Sequence, residues 1–464
     1  MHLQTIKGGY WTEFPDTYRH EQIVTMAQWI ATGESGALIG GSGTGKSNLV
    51  GFLTTRPDLL AAALPNPNEP FILLHFDVNS LPALTLTYFY RGLLMAMQNA
   101  PTIHDGTKER INALTSAQTN WDDAFFVLST LQAAHRLLIE DMGVKVVWLL
   151  DRFDEACQRL ESQALGTLRS LRDQVKGKLC YIVATRHPIE RLCNLAEIDE
   201  FYELIAANRC WIGPMVERDA RWIVAQMGER LDRSFTEMET GALVSVTGGL
   251  PAFLKEACTA LANGVVSSSA TPNEMAESLA LRPEFQRNCR EIWTDLSEEE
   301  QVALVNVAHE DPAPEPSSEV ITYLQSLGLL VSTGAGSQSK IFAPIFAAYV
   351  IAQNMMATPT AQAGIMLHPK TRSVIRGGIT LEIELTAHED RLLSYFLEHI
   401  DEVCTKDGLM NAIWPEEQIV EGIRDDRLAQ LVKRLRDKIE PIPNNPQYVL
   451  TVRGRGYRFV QAQS

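Results

Sequence analysis

A glycine-rich loop near the N-terminus constrains the fold of this chain more than any other feature. It reads Gly40-Gly41-Ser42-Gly43-Thr44-Gly45-Lys46-Ser47 and lies between the apolar stretch 37–39 and a helical pattern that begins at Asn48. Glycines let backbone N–H groups turn towards a bound anion, and a following helix points its positive end at the same place. The pattern G-x-x-x-x-G-K-[ST] between a strand and a helix predicts a phosphate-binding loop in an α/β domain.

The chemistry of such a loop assigns roles to its side chains. A lysine in the position of Lys46 reaches the β- and γ-phosphates of a nucleoside triphosphate, and a hydroxyl in the position of Ser47 holds Mg²⁺. We therefore predict that the chain binds ATP together with Mg²⁺. The predicted nucleotide-binding residues of this segment are Gly40, Gly41, Ser42, Gly43, Thr44, Gly45, Lys46, Ser47 and Asn48.

A second segment supplies acidic side chains. The apolar stretch 146–150 runs directly into Asp151. A carboxylate where a buried strand emerges is the usual partner of Mg²⁺ beside a phosphate loop, so we predict Ser47 and Asp151 as its protein ligands. Asp154 and Glu155 follow, and either carboxylate could act as a general base on the attacking water.

Apolar stretches recur through the first half of the chain, at 37–39, 71–76, 144–150 and 180–184, with helical patterns between them. Continuous apolar strands are typical of a parallel sheet that is covered on both faces. We predict an α/β P-loop NTPase fold, with a parallel sheet and helices on both faces, followed by a helical lid and two winged-helix domains. The predicted boundaries are 1–215 for the ATPase domain, 216–292 for the lid, 293–355 for the first winged helix, 356–375 for a linker and 376–464 for the second winged helix.

Several phrases within residues 10–353 resemble one ATPase family. The sequence Asp151-Arg152-Phe153-Asp154-Glu155 looks like the acidic strand end of the signal-transduction ATPases with numerous domains (STAND), relatives of the AAA+ and origin-recognition ATPases. Three further phrases are similar to that family: Thr185-Arg186, Gly249-Leu250-Pro251 and Tyr18-Arg19-His20-Glu21. The resemblance implies that Arg186 senses the γ-phosphate, that Pro251 touches nucleotide from the lid, and that Arg19 belongs to a segment flanking adenine. The catalytic residues implied are Lys46, Asp151, Asp154, Glu155 and Arg186.

One position departs from the pattern of the wider AAA+ group. Arg152 follows Asp151, where those enzymes usually carry a catalytic glutamate. Hydrolysis of ATP is therefore expected to be slow, or to depend on Asp154 or Glu155. Slow hydrolysis suits a switch better than a motor.

Residues 376–464 carry a second recognisable pattern. Three helical stretches precede two strands, which flank Arg453-Gly454-Arg455-Gly456. The phrases 413–415, 434–436 and 451–459 closely resemble the OmpR/PhoB-type DNA-binding domain. That resemblance implies that the third helix enters the major groove of DNA and that Arg453, in the wing, reaches the minor groove.

Charge distinguishes this region from the rest of the chain. The formal net charge is −16, and an acidic protein repels nucleic acid unless basic residues are clustered locally. Residues 427–464 contain eight basic residues against two acidic ones. We predict double-stranded DNA as a partner, bound by Arg427, Lys433, Arg434, Arg436, Arg453 and Arg455. A protein-interaction role for this domain is the alternative.

The cysteines and the N-terminus bear on the compartment. Seven cysteines are scattered without a C-x-x-C pair, which favours reduced thiols over a disulfide framework. The N-terminal residues lack the pattern of a signal peptide, and no apolar run approaches the roughly 18 residues of a membrane span. We expect a cytoplasmic protein with no membrane partner, and Mg²⁺ carried with nucleotide as its metal.

Three functions are compatible with these features. The leading hypothesis is a STAND-type ATP switch that controls a DNA-binding domain, as a transcription regulator that forms a homo-oligomer when ATP binds. The second is an ATPase that loads or remodels DNA in transposition, replication or anti-phage defence. The third is a scaffold that binds nucleotide without hydrolysing it. The upstream signal or protein partner stays open in all three.

Overall fold

A computed structural model of the chain divides into two compact units, residues 1–350 and 351–464. Secondary structure is described for residues 10–267, 270–309, 317–332, 339–357, 365–367, 372–376, 379–381, 383, 385–414, 423–440, 446–452 and 455–460. No helix in these segments has the length and apolar character needed to cross a membrane.

The first unit is built on a five-stranded parallel sheet in the order β2-β3-β4-β1-β5. Its strands are β1 (Gly36–Ile39), β2 (Phe71–Asp77), β3 (Lys145–Asp151), β4 (Leu179–Thr185) and β5 (Arg209–Trp211). The first four coincide with the predicted apolar stretches. The fifth was not predicted, because its three residues include an arginine and form no apolar run.

Both faces of this sheet are covered, as predicted. Alternate residues of β3 belong to separate cores: Val147 and Leu149 pack on one face, and Val146 and Trp148 on the other. The covering helices are α1 (His20–Thr32), α2 (Lys46–Thr55), α3 (Pro57–Ala63), α4 (Leu86–Asn99), α5 (Asp105–Ala117), α6 (Ala124–Arg136), α7 (Phe153–Arg159), α8 (Ser162–Gln174) and α9 (Leu195–Ile205).

Helices follow the sheet in the region predicted as a lid. Three of them begin with proline, which has no N–H to leave unbonded at a helix start. The five helices of this region are α10 (Glu217–Arg230), α11 (Glu237–Thr247), α12 (Pro251–Ala262), α13 (Pro272–Ala280) and α14 (Pro283–Thr294). The first winged helix comprises α15 (Glu298–His309), α16 (Ser318–Ser326), β6 (Leu330–Ser332), β7 (Ser339–Ile341) and α17 (Pro344–Ala357).

In the described part of the second unit after residue 357, two small antiparallel sheets and three helices surround one core. Its elements are β8 (Ile365–Leu367), β9 (Val374–Arg376), β10 (Ile379–Thr380), α18 (Ala387–Glu398), β11 (Val403–Thr405), α19 (Lys406–Ile413), α20 (Ile423–Ile439), β12 (Val449–Val452) and β13 (Gly456–Phe459). We expected residues 356–375 to be a linker, but strands β8 and β9 lie largely within this range. Ile365 and Val374 of these strands are buried in the core of the second unit. The domain boundaries otherwise stay predictions.

Candidate nucleotide and DNA sites

The glycine loop connects β1 to α2 at the carboxyl edge of the sheet. Because β1 lies between β4 and β5, the loop emerges near the ends of both neighbours. The Gly40 N–H donates a hydrogen bond of 3.1 Å to the carbonyl of Thr185, the last residue of β4. Gly43 and Gly45 have φ values of 77° and 88°, which favour glycine, so the loop turns where the sequence supplies the freedom to do so.

Lys46 is held against the loop that precedes it. Its ammonium donates hydrogen bonds to the carbonyl oxygens of Gly40 and Gly41. Although the residue as a whole is half-buried, the ammonium is enclosed, and this burial lowers the pKa of Lys46 to about 8 against the opposing effect of Asp154 and Asp151. A desolvated cation with nearby backbone amides is a strong binding group for phosphate.

The predicted carboxylates have different surroundings. Asp151, the last residue of β3, is 4% exposed and accepts a hydrogen bond of 2.9 Å from the Arg152 N–H. Asp154 accepts one of 2.7 Å from the N–H of Arg186, which fixes the acidic loop to the end of β4. Burial raises the pKa of Asp154. Glu155 instead pairs with Arg159 on its own helix, at 3.2 Å.

Arg152 and Thr185 complete this edge of the sheet. Arg152 has a left-handed φ of 54° and lies 3.3 Å from Asp77, so the residue that replaces the family's glutamate is directed to the neighbouring strand end. The hydroxyl oxygen of Thr185 is fully buried and, within the described part of the chain, has no hydrogen-bond partner. An unpaired buried hydroxyl beside a phosphate loop fits a ligand contact.

The lid approaches the loop closely. The Ala252 N–H donates a hydrogen bond of 3.3 Å to the Gly43 carbonyl, and a Cβ built on Gly43 would lie only 2.9 Å from that of Ala252. A Cβ on Gly45 would lie 3.4 Å from the ring of Pro251. The structure therefore brings Pro251 to the glycine loop, and its contact with nucleotide stays a prediction.

Two carboxylates that the sequence did not predict also reach this site. The Ser42 hydroxyl donates a hydrogen bond of 2.7 Å to Glu291 of α14. Asp295, just after α14, lines a cavity beside Arg186 and His187, and one of its oxygens is buried without a partner among the described residues. Neither carboxylate carries a sequence signal, since each lies about 250 residues from the loop and belongs to no recognised pattern.

The cavity at the glycine loop is small. Its walls come from the loop, from the end of β4, from the lid and from the first winged helix, and its volume is about 30 Å³. A cavity of that volume holds on the order of one or two water molecules, so a triphosphate that entered it would push these walls apart. Next to it, a cavity of about 170 Å³ is lined by residues that include Asp154, Glu155, Arg186 and Asp295.

Arg19 stabilises the loop through its backbone contacts. It is 4% exposed, and its guanidinium donates hydrogen bonds to the carbonyls of Thr44 (2.7 Å) and Gly213 (2.9 Å). Its own N–H donates one of 2.8 Å to Asp219. Through these contacts Arg19 positions the glycine loop, and a contact of Arg19 with adenine stays a prediction.

The first winged helix contacts the segment after β4. Arg191 forms an ion pair of 2.6 Å with Glu300, whose side chain is 2% exposed, and lies 3.7 Å above the ring of Tyr323. The Tyr323 hydroxyl is 3.5 Å from His187. This segment, residues 186–191, contains the predicted sensor Arg186 and is called the sensor segment below. It contacts α15 and α16, an arrangement that no local sequence pattern indicated.

In the second unit, α20 presents basic side chains on one face. Leu428, Leu431 and Leu435 are buried in the core, whereas Lys433 and Arg434 are exposed. Leu431 stands where the DNA-binding family often has a polar base-reading residue, and it serves the core instead. The helix therefore offers Lys433 and Arg434 to solvent.

The other predicted DNA-binding arginines have varied surroundings. The Arg427 guanidinium lies 4.7 Å from the ring of Trp414, and Arg455 is exposed. Arg436 donates hydrogen bonds to the Val449 carbonyl and to the Thr451 hydroxyl. Arg453 lies outside the described residues. Arg436 thus holds α20 against β12.

We expect Arg436→Ala to lower the free energy of unfolding of the second unit by about 1–3 kcal/mol, because two acceptors at β12 lose their charged donor. Urea denaturation followed by circular dichroism would measure the change. Lys433→Ala is the matched control, since this exposed side chain should alter stability by less than about 0.5 kcal/mol. Equal stability of the two variants would contradict a structural role for Arg436.

The second unit is similar in sequence to known proteins. Residues 380–459 match the family model described as transcriptional regulatory protein, C terminal. These residues carry the domain of that family. A curated relative, the transcriptional regulatory protein YvrH of Bacillus subtilis (strain 168), is 35% identical over 92 residues, which are 20% of this chain and 37% of YvrH. The chain therefore spans well under half of that relative.

Several solved structures are similar to this chain over most of its length. A Walker-type ATPase of Pyrococcus abyssi is 16% identical, with 72% of this chain and 95% of that one covered and a TM-score of 0.43. The ORC2 protein of Aeropyrum pernix is 15% identical, with 73% and 94% covered and a TM-score of 0.37. We assign the fold of the first unit from its strand order and its glycine loop. The chain joins a P-loop ATPase-like α/β domain to a response-regulator-type DNA-binding domain.

Proposed function

We propose that the chain is a STAND-type switch in which ATP bound at the glycine loop controls DNA binding by the second unit, in the service of transcription regulation. The observation that carries this proposal is the origin of the cavity walls. The loop, the end of β4, the lid and the first winged helix all face the same small space. A triphosphate that enters it must change how these parts are arranged, and a ligand shifts a conformational equilibrium by its different affinity for the two states.

The residues present fit ATP and Mg²⁺. Lys46 supplies an enclosed cation, Gly41, Ser42 and Thr44 of the loop line the cavity, and Asp151, at the end of β3, acts on the Lys46 charge. The Thr185 hydroxyl and one Asp295 oxygen are buried polar atoms that a ligand could satisfy. Lys46, Asn48 and the loop amides would hold the phosphates, with Ser47 and Asp151 on Mg²⁺. When bound, Mg²⁺ neutralises phosphate charge.

Catalysis is proposed to be slow. Asp154 is hydrogen-bonded to the N–H of Arg186, so moving this carboxylate onto a water molecule would break that bond. Glu155 is engaged with Arg159. Arg186 is exposed and has room to approach a phosphate. We propose that nucleotide occupancy, more than turnover, sets the state of the protein, and that ATP binding favours a homo-oligomer.

The charge of the first winged helix favours a switch over a DNA-loading ATPase. Residues 293–350 contain eight carboxylate side chains and, among lysines and arginines, Lys340 alone. Such an excess of negative charge disfavours contact with the phosphate backbone of DNA. The domain instead contacts the sensor segment through Glu300 and Tyr323. We propose that it transmits nucleotide occupancy and leaves DNA binding to residues 376–464.

The proposed coupling predicts a difference in DNA affinity between nucleotide states. Binding of the full chain to a library of bacterial promoter fragments should change by about fivefold or more between ATP and ADP, a usual size for allosteric coupling. Fluorescence anisotropy would measure it, and Lys46→Ala should abolish the difference. Identical affinities with ATP, with ADP and in the Lys46→Ala variant would reject the coupling.

The Ser42–Glu291 contact predicts a variant with increased nucleotide affinity. Glu291→Gln should bind ATP about fivefold more tightly, because a negative charge next to the phosphate site is removed while the Ser42 hydroxyl keeps an acceptor. Isothermal titration calorimetry would measure the gain. Glu284→Gln, at an exposed position in the first turn of the same helix, is the control and should leave the affinity unchanged. Weaker ATP binding by Glu291→Gln would contradict this role.

A further inference from the structure

Two cysteines lie side by side next to the acidic loop and the sensor segment. Cys157 is on α7, three residues after Asp154, and Cys193 follows the short 3-10 helix Ile189–Arg191. The Cys193 thiol is the largest cause of a raised pKa of the Cys157 thiol, and Cys193 packs against the apolar core that contains Cys157. The Cys193 thiol also lies 3.6 Å from the Ile189 carbonyl, so its direction is fixed.

Exposure distinguishes the two members of this pair. All seven cysteines fall in described segments; six are buried, and Cys193 is half-exposed. Cys157 is 7% exposed, and burial beside Cys193 raises the pKa of its thiol. An oxidant from solvent therefore meets Cys193 first, and Cys157 stays protonated behind it. A pair of this kind matches a redox-sensing thiol with a resolving partner.

The pair borders the proposed catalytic space. Gln158 and Leu192, the immediate neighbours of the two cysteines, line the 170 Å³ cavity together with Asp154 and Arg186. The hydrogen bond from the Arg186 N–H to Asp154 already joins the same two segments. A covalent bond between α7 and the segment after β4 would fix their separation at a second point.

We propose that Cys157 and Cys193 are a redox pair that a hydroperoxide converts to a disulfide, and that this disulfide changes nucleotide binding. The Cys193 thiolate attacks the peroxide, the O–O bond breaks, and a sulfenic acid and an alcohol (water, from hydrogen peroxide) form. The Cys157 sulfur then attacks the sulfenic sulfur, the S–O bond breaks, and water leaves with the thiol proton. Two thiols lose two electrons to the peroxide in total.

The effect on the site follows from geometry. A disulfide holds two sulfur atoms about 2 Å apart, closer than two sulfur atoms that are not covalently bonded. The bond therefore draws α7 towards the segment after β4, and Asp154 and Arg186 move with the elements that carry them. This part of the inference rests on the proposed function, whereas the disulfide itself does not.

Hydrogen peroxide treatment of the full chain tests the covalent step. Peptide mass spectrometry without reduction should find Cys157 linked to Cys193 with the loss of two hydrogen atoms. The link should be absent from Cys193→Ser and from Cys157→Ala, and Cys404→Ala, in the second unit, should form it normally. Oxidation of Cys193 to a sulfinic acid with no link to Cys157 would overturn the redox pair.

Calorimetric titration with ATP tests the regulatory step. Oxidised protein should differ from reduced protein in ATP affinity by about fivefold or more, and dithiothreitol should reverse the difference. Cys193→Ser should show no effect of peroxide. A quantitative disulfide with unchanged ATP affinity would overturn the regulation and leave the proposed function intact. If reduced protein does not bind ATP at all, the proposed function fails, and the mass-spectrometric result still decides the redox pair.

Discussion

Lys46→Ala is expected to weaken the binding of Mg·ATP by about a hundredfold, which corresponds to roughly 3 kcal/mol from the loss of charge-assisted hydrogen bonds to phosphate. The ammonium already lies beside the loop, where a phosphate oxygen would replace the Gly40 and Gly41 carbonyls as its acceptors. Titration with a fluorescent ATP analogue in the presence of Mg²⁺ would measure the loss.

Lys176→Ala is the matched control for this change. Lys176 is exposed in the turn after α8 and lies outside the glycine loop, so its removal should leave ATP affinity within error. Thermal unfolding of both variants would show whether the fold is retained. Equal ATP affinities in Lys46→Ala and in the unmodified chain would remove the basis of the nucleotide site.

Lys433→Ala combined with Arg434→Ala is expected to lower the affinity for duplex DNA by about a hundredfold at low salt, since removing each charged hydrogen bond to a phosphate costs roughly 1–3 kcal/mol. Both side chains are exposed on α20, and neighbouring leucines of that helix are buried. The slope of log affinity against log salt concentration should fall by about one for each of the two side chains that binds a phosphate. Electrophoretic mobility shifts over a range of salt would measure both quantities.

Lys340→Ala separates the two winged helices. Lys340 is exposed on β7 of the first one, and its replacement should leave duplex binding and the salt slope unchanged if that domain makes no DNA contact. A decrease in affinity as large as that of the α20 double variant would assign DNA binding to both winged helices. That outcome would favour a DNA-loading ATPase.

Local sequence accounts for the elements that carry their own signal. Strands β3 and β4 are buried along their whole length and were readable as apolar runs, and α19 is one of the three helical stretches that the sequence of the second unit indicated. Strand β11 was missed because Val403–Thr405 is extended only through its pairing with β13. A strand of three residues that depends on a distant partner leaves little trace in its own composition.

The same distinction applies to the site. The glycine loop and the acidic strand end were predictable, because their chemistry requires particular residue types at fixed spacing. Glu291, Asp295 and Tyr323 were not, because tertiary packing alone brings them to the loop and to the sensor segment. Arg436 shows the reverse case: the family pattern suggested a DNA contact, and the fold gives the side chain hydrogen bonds to β12.

The hydrogen bond between the Ala252 amide and the Gly43 carbonyl gives the protein an internal reporter. Isotope exchange at one backbone position is slow while its amide is bonded and speeds up when that bond opens. The exchange rate at Ala252 thus follows the separation of the lid from the loop, independently of turnover and of any nucleic acid. Deuterium uptake in the peptide that contains this residue would measure how fast the lid separates from the loop.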